Sequence, residues 1–305
     1  MKKALVIGSE GSVGTHLVKH LQSNNWQVFK SDIKPGTLDD YYVSDINHPI
    51  DLLPAFESKP DVVFLLSAMR GRIACEKASS LSVTTNLSGV NNVAQLCKLY
   101  SSKLIYVSTS EIYGPDCDPM HEDISNPNPN NRYGLTKLLG EKLIEYEVRT
   151  HGLKAVTLRP FMIYNENEEF GAHRSAMIRF ACELAMGNPI EVHKGSARGW
   201  LHLYDAVKII TESSRLEDYH VINIGNPDIQ PMAKLAELLR KQLKADKNLI
   251  KTVDLPVRMT GVKNPVLEKQ QTLLGIVPEI TLEEGLKRVC VRVKDRIQAG
   301  ELPTN

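Results

Sequence analysis

The chain has 305 residues, a formal net charge of +1, 42% hydrophobic and 24% charged residues. That composition excludes a disordered chain, and a charge this close to neutral speaks against a nucleic-acid surface, which usually carries a basic excess. The length fits one large α/β unit or a cofactor domain with a smaller companion.

In chain order, Ala4-Leu5-Val6-Ile7 is a continuous apolar run, as expected of a parallel strand covered on both faces. Val13, Leu17, Val18 and Leu21 then recur at helical spacing, and Trp26 to Phe29 predicts a second strand ending at Ser31-Asp32. Asp61 to Leu66 and Lys103 to Ser108 predict two more buried strands, with a helix around Asn86 to Leu99 between them. Ala155 to Leu158 reads as a further strand. Beyond Arg159, residues Pro160, Asn165, Asn167 and Gly171 mark a loop, followed by a helix near Ser175 to Met186, a late strand at Val221 to Gly225 and an amphipathic helix over Ala233 to Leu243. Strands separated by helices imply right-handed crossovers and a parallel, doubly wound sheet.

Two negative readings accompany this pattern. The apolar run after Met1-Lys2-Lys3 ends at Gly8, short of the about 7–15 residues of a signal peptide, and no run nears the roughly 18 that span a bilayer. Cys75, Cys97, Cys117, Cys182 and Cys290 are scattered without a CxxC pair. A cytoplasmic protein with reduced thiols is therefore expected.

Gly8-Ser9-Glu10-Gly11-Ser12-Val13-Gly14 directly follows the first strand and opens the first helix. In that context the three glycines read as a dinucleotide fingerprint of a Rossmann-type fold, because the bare backbone and the helix N-terminus can receive a pyrophosphate. Asp32, followed by Ile33, ends the second strand. A carboxylate there accepts from the adenosine ribose and repels a 2′-phosphate, so NAD is favoured over NADP.

Tyr133 and Lys137, four apart, fall on one face of a helix whose apolar positions are Leu138, Leu139, Leu143 and Ile144. A lysine ammonium about 4–6 Å away would lower the tyrosine pKa by about 1–3 units, toward the range a general base needs. His193 and His202 have no second ligand at metal spacing and read as structural or rim residues, so no metal is predicted.

With these motifs together, the chain resembles an extended short-chain dehydrogenase/reductase of the NAD-dependent sugar-nucleotide epimerase/dehydratase family. Other matching segments are Asp45-Ile46, Leu66-Ser67-Ala68, Asn86, Ser108 to Gly114, Leu158 to Phe161, Arg198 to His202 and Leu282 to Leu286. The resemblance implies NAD as cofactor, held by Gly8, Gly11, Ser12, Val13, Gly14, Asp32, Ile33, Asp45, Ile46, Leu66, Ser67, Ala68, Asn86, Tyr133, Lys137 and Pro160. It implies Thr109, Ser110, Glu111, Tyr133 and Lys137 as catalytic residues. Met69, Glu111, Met162 and Arg198 would contact a nucleoside-diphosphate sugar, Arg198 at its diphosphate. It also implies a homodimer packed through the helix carrying Tyr133 and the one after Asn86. An NAD-binding domain over 1–160, rejoined by about 200–225, would interleave with a substrate-binding domain over 161–199 and 226–305.

By the same resemblance Thr109 bonds the sugar hydroxyl while Tyr133 removes its proton and hydride passes to NAD. The Thr109-Ser110-Glu111 run is similar to that of UDP-glucuronate decarboxylases and, more loosely, 4,6-dehydratases. Glu111 then acts at a 4-keto intermediate as proton carrier or positioner, or pairs locally. Three positions depart from the family pattern: Met162 stands for an asparagine, Asn165 for a glycine and Val266 for an aspartate. Epimerase, dehydratase and decarboxylase readings stay open, as do a net dehydrogenase or reductase and a non-catalytic NAD-binding regulator.

Overall fold

The computed structural model describes residues 1–36, 39–123, 127–171, 175–256 and 259–302. Its strands in chain order are β1 (Lys3–Ile7), β2 (Gln27–Asp32), β3 (Tyr41–Val43), β4 (Val62–Leu65), β5 (Lys103–Val107), β6 (Ala155–Pro160), β7 (Ile163–Tyr164), β8 (Ile190–His193), β9 (Ala197–Gly199), β10 (Leu201–His202), β11 (Val221–Ile224), β12 (Ile229–Pro231), β13 (Ile250–Val253) and β14 (Val262–Lys263). The helices are α1 (Ser12–Ser23), α2 (Pro49–Phe56), α3 (Arg72–Lys77), α4 (Ser79–Val83), α5 (Gly89–Leu99), α6 (Arg132–His151), α7 (Ala176–Ala185), α8 (Leu203–Glu212), α9 (Met232–Leu243), α10 (Glu268–Leu274) and α11 (Leu282–Gln298).

Seven strands form one sheet in the order β11-β6-β5-β4-β1-β2-β3, and every neighbouring pair is parallel. The chain leaves β1 for β2 and β3 on one side, then returns to β4 and continues outward on the other. The switch point is therefore the gap beyond the C-terminal ends of β1 and β4, where open α/β sheets take their ligands. Side-chain alternation along β1 supplies both faces. Ala4 and Val6 join α1 and α8 in one apolar cluster, while Leu5 and Ile7 join α2, α5 and α6 in another. A third cluster gathers α7, α9 and α11 around Tyr164 and Trp200. Among the described residues no helix is long and apolar enough to cross a membrane.

Differences from the sequence reading are local. α5 starts at Gly89, because Thr84–Ser88 forms a π-helical turn that carries Asn86 inward, 1% exposed. The pairs β7–β10, β8–β13 and the trio β12-β9-β14 are small sheets of two to four residues per strand, too short to leave a period in sequence.

Near the C-terminal end of β6 lies a buried ion pair. Arg159 of β6 donates to Glu141 of α6, with Nη2 to Oε2 at 2.7 Å and Nε to both carboxylate oxygens at 3.1 and 3.2 Å. Ser108 also donates to Glu141. Arg159 Nη1 reaches the Tyr113 hydroxyl at 2.9 Å, and that hydroxyl donates to Asn223 of β11 at 2.6 Å. One network thus ties β6, α6 and β11 together. Removing one partner strands the other charge, so Glu141→Ala is expected to cost about 3–5 kcal/mol in urea unfolding. Glu141→Leu with Arg159→Met is expected to cost distinctly less; equal losses would contradict the assignment.

Candidate active site

The loop after β1 is shaped by backbone crowding. Gly8 has φ +91°, and a Cβ there would sit 2.7 Å from the Ser67 nitrogen just past β4. A Cβ on Gly14 would lie 2.1 Å from the Gly8 carbonyl oxygen, so α1 can start this close to β1 only without a side chain. Gly11 caps α1 without any side-chain acceptor, and Ser12 and Val13 are its first residues, which leaves helix N–H groups free to donate. Ser9 Oγ is buried there without a partner among the described residues. A cradle that any Cβ would fill, with an orphaned hydroxyl inside it, fits a dinucleotide pyrophosphate.

Asp32 holds this loop in shape, accepting the Glu10 N–H at 2.9 Å and the Lys34 N–H at 3.1 Å. Each carboxylate oxygen keeps a second acceptor position for a ribose hydroxyl. Ile33 projects outward and is 66% exposed. Asp45 accepts the Asn47 N–H at 2.9 Å, whereas Ile46 is 2% exposed and wedged under Gly89 of α5. Of that pair, only Asp45 offers its side chain outward. Leu66, Ser67 and Ala68 continue β4 to the switch point, and the Leu66 and Ser67 N–H groups donate to Ile7 O. The Asn86 carboxamide is occupied locally: it takes both backbone groups of Met69 at 2.8 and 2.9 Å and donates to Thr136 of α6 at 3.0 Å. It fixes Met69 and α6 relative to each other. Pro160 ends β6 opposite Ile224.

Asn131 caps α6 by accepting the Gly134 N–H at 2.9 Å, which sets the helix rotation that turns Tyr133 and Lys137 to the sheet ends. Thr109 accepts the Glu111 N–H at 3.2 Å, and its side chain acts to lower the Tyr133 pKa. Lys137 is 1% exposed, and its ammonium stands 4.1 Å from the Tyr106 ring centroid, a cation–π contact. The electrostatics correct one expectation. Burial pushes Tyr133 up to about 12 against the lowering influence of Thr109, and Lys137 is not among its leading influences. Burial also pulls Lys137 down to about 7 against the pull of Glu141. Without cofactor, desolvation drives both groups toward neutrality, which outweighs any lowering of the tyrosine by the lysine.

Ser110-Glu111 meets residues that the sequence reading did not single out. Lys263 of β14 donates to Ser110 at 3.1 Å and to the Glu111 carboxylate. Asn131 donates to the other Glu111 oxygen at 2.9 Å, and Arg72 Nε lies 3.9 Å from it. Burial alone would raise the Glu111 pKa, but Lys263, with Arg72 and Asn131, holds it down to about 2. Lys263 stands in an irregular Val-Lys-Asn-Pro stretch, where only the Ser110-Glu111 contact gives it meaning. Val266 donates its N–H to Met120 O, and this backbone bond needs no aspartate.

Next to this cluster is a cavity of about 110 Å³ lined by Met162, Arg179, His193, Arg198, Trp200 and Met259, among others. Arg198 is 6% exposed and donates to the carbonyls of Ala197, Thr260 and Gly261. It lines the cavity with a guanidinium held by backbone, and burial lowers its pKa to about 10. Met162, not Asn165, takes the left-handed conformation in the loop, with φ +42°. His202 caps α8 by accepting the Tyr204 N–H and donates to Glu166, as a structural residue. Among the described residues no three His, Cys, Asp or Glu side chains group as metal ligands, and the five cysteines are free.

The Glu111 ion pair has a pH signature. Its folded pKa, about 2, lies below the ordinary 4.5, so the stability it confers is complete above about pH 4.5 and is lost as pH falls toward 2. Glu111→Gln is expected to cost up to about 3 kcal/mol in urea unfolding near neutral pH and much less near pH 3. An equal loss at both would contradict the pairing.

The comparisons agree with this geometry. A UDP-glucuronic acid decarboxylase of Arabidopsis thaliana is 27% identical over 93% of this chain and 86% of its own. A UDP-glucuronate 4-epimerase of Thermodesulfobacterium geofontis is 28% identical over 90% and 84%. In fold, a UDP-glucose 4-epimerase structure from Thermotoga maritima superposes with a TM-score of 0.88 at 23% identity, covering 97% of this chain and 99% of that one. Residues 4–225 match the NAD dependent epimerase/dehydratase family, and the chain belongs to it as an NAD-dependent enzyme of the extended short-chain dehydrogenase/reductase type.

Proposed function

We propose that the protein converts a nucleoside-diphosphate sugar through a transient 4-keto intermediate, with NAD recycled inside the site. The observation that carries this reading is the placement of Tyr133 and Lys137 one turn apart where α6 packs against the Thr109-Ser110-Glu111 turn, with Lys137 buried over the Tyr106 ring. Tyr133 takes the proton of the sugar hydroxyl as phenolate, a state that the positive charge of the oxidised nicotinamide ring would favour once the cofactor is bound, while Thr109 holds that hydroxyl in line and Lys137 holds the nicotinamide ribose. The Gly8–Gly14 cradle, with Asp32 at the ribose, would hold NAD, which would supply the hydride acceptor and donor.

We further propose that the sugar carries a carboxylate at C6. Lys263 and Arg72 lie against the Glu111 carboxylate and Arg198 is close enough to feel its charge, a local excess of positive charge that suits an anionic sugar. Two relatives act by name on UDP-glucuronate or UDP-glucuronic acid. Once C4 is a ketone, that carboxylate belongs to a β-keto acid and leaves readily as CO2. The paired state of Glu111 makes it a positioner of the sugar and of Lys263, since a carboxylate with a pKa of about 2 is a poor proton acceptor.

For assembly, we propose a homodimer through α6 and α5. Leu135, Leu139 and Tyr146 form an exposed stripe on α6, 41–46% exposed.

The test is incubation with UDP-glucuronate in D2O, followed by mass spectrometry. The expected product has lost CO2 and gained deuterium at C5 with no accumulation of NADH, and Tyr133→Phe is expected to lower kcat by about 10²–10⁴. An isomer of unchanged mass would replace decarboxylation by 4-epimerisation. Stoichiometric NADH release, or an unimpaired Tyr133→Phe, would overturn the reading.

A further inference from the structure

Asn165, directly after β7, is 3% exposed. Its side-chain oxygen accepts the Asn167 N–H at 2.8 Å, a bond that only the carbonyl end of the amide can make. That settles which way the amide faces. The nitrogen end therefore points to Ser12 and donates to its hydroxyl oxygen at 2.9 Å, across 153 positions of sequence. Because an amide nitrogen only donates, the Ser12 oxygen accepts here and its own proton is left to donate elsewhere. Ser12 opens α1, in the cradle where the dinucleotide pyrophosphate meets the helix N-terminus.

The segment carrying Asn165 is anchored on both sides. Tyr164 packs edge-on against Trp200 and His202, with ring centroids 6.0 and 5.2 Å away. Glu166 accepts from His202 at 3.0 Å. Glu168 accepts the Ser175 N–H and hydroxyl at 3.0 and 2.7 Å, and Ser175 caps α7. A strap fixed to the C-terminal cluster thus reaches the phosphate loop through one side chain, and that side chain replaces the glycine expected at this position.

We propose that Asn165 is a cofactor-positioning residue: it ties the strap to the phosphate loop and aims the Ser12 hydroxyl proton at the NAD pyrophosphate. Release of NAD then requires the strap to let go, which suits a cofactor recycled within the site, and to that extent the proposal rests on the function proposed above. Asn165→Asp is nearly isosteric but reverses the polarity. It draws the Ser12 proton to itself and adds a negative charge beside the diphosphate.

The test is NAD binding by calorimetry to cofactor-free wild type, Ser12→Ala, Asn165→Ala, the double variant and Asn165→Asp, with no sugar present. Thermal unfolding of each cofactor-free protein runs alongside. Ser12→Ala and Asn165→Ala are each expected to raise the Kd for NAD about tenfold, the loss of one hydrogen bond, and the double variant no further. Asn165→Asp is expected to raise it about a hundredfold, with faster NAD release, while the cofactor-free Tm of Ser12→Ala stays at the wild-type value. Wild-type affinity in Asn165→Ala or Asn165→Asp, additive losses in the double variant, or losses that follow Tm would each overturn the proposal. A wild type that binds no NAD would overturn the cofactor reading itself and the proposal with it.

Discussion

The site depends on how closely α6 approaches the ends of the central strands. At Gly140 an added Cβ would stand 2.6 Å from the Tyr106 hydroxyl, so the helix reaches the sheet only because that position is bare. Close approach buries Lys137 and Glu141 of α6, one turn apart, with Tyr133 half-buried a turn before them. Burying a charge is costly unless it is paired, and the three positions meet that cost differently. Glu141 is paired by Arg159, and Lys137 is lowered toward neutrality over an aromatic ring. Tyr133, pushed up to about 12 by burial, stays protonated. Desolvation, rather than a simple lysine–tyrosine attraction, sets the starting state of the chemistry.

The same constraint organises the ends of the sheet. Asn131 sets the rotation of α6 and also grips Glu111, so the Tyr133–Lys137 pair and the Glu111 carboxylate share one cap. Lys263 and Asn165 reach this edge from opposite parts of the C-terminal half, one to Ser110-Glu111 and the other to Ser12. The glycine loop, the Tyr133–Lys137 helix and the Ser110-Glu111 turn are thereby joined by a few buried polar contacts between segments distant in sequence.

That arrangement explains what could be read from the sequence. The parallel sheet was legible because its strands are apolar on both faces, and the glycine fingerprint because crowding at Gly8 and Gly14 leaves no alternative residue. α6 itself was only half legible. Its apolar pattern points to Leu138, Leu139, Leu143 and Ile144, yet Leu139 is 41% exposed while Lys137 and Glu141 are inside. A functional helix that buries its polar face defeats periodicity. Lys263, Arg72 and Asn165 acquire their roles only through contacts across the fold, which no local pattern encodes.

The approach of α6 strips water from Lys137, and an NMR titration of the Lys137 side-chain nitrogen in cofactor-free protein measures how far. A pKa of about 7 is expected; a value near the ordinary 10.5 would show a solvated lysine instead.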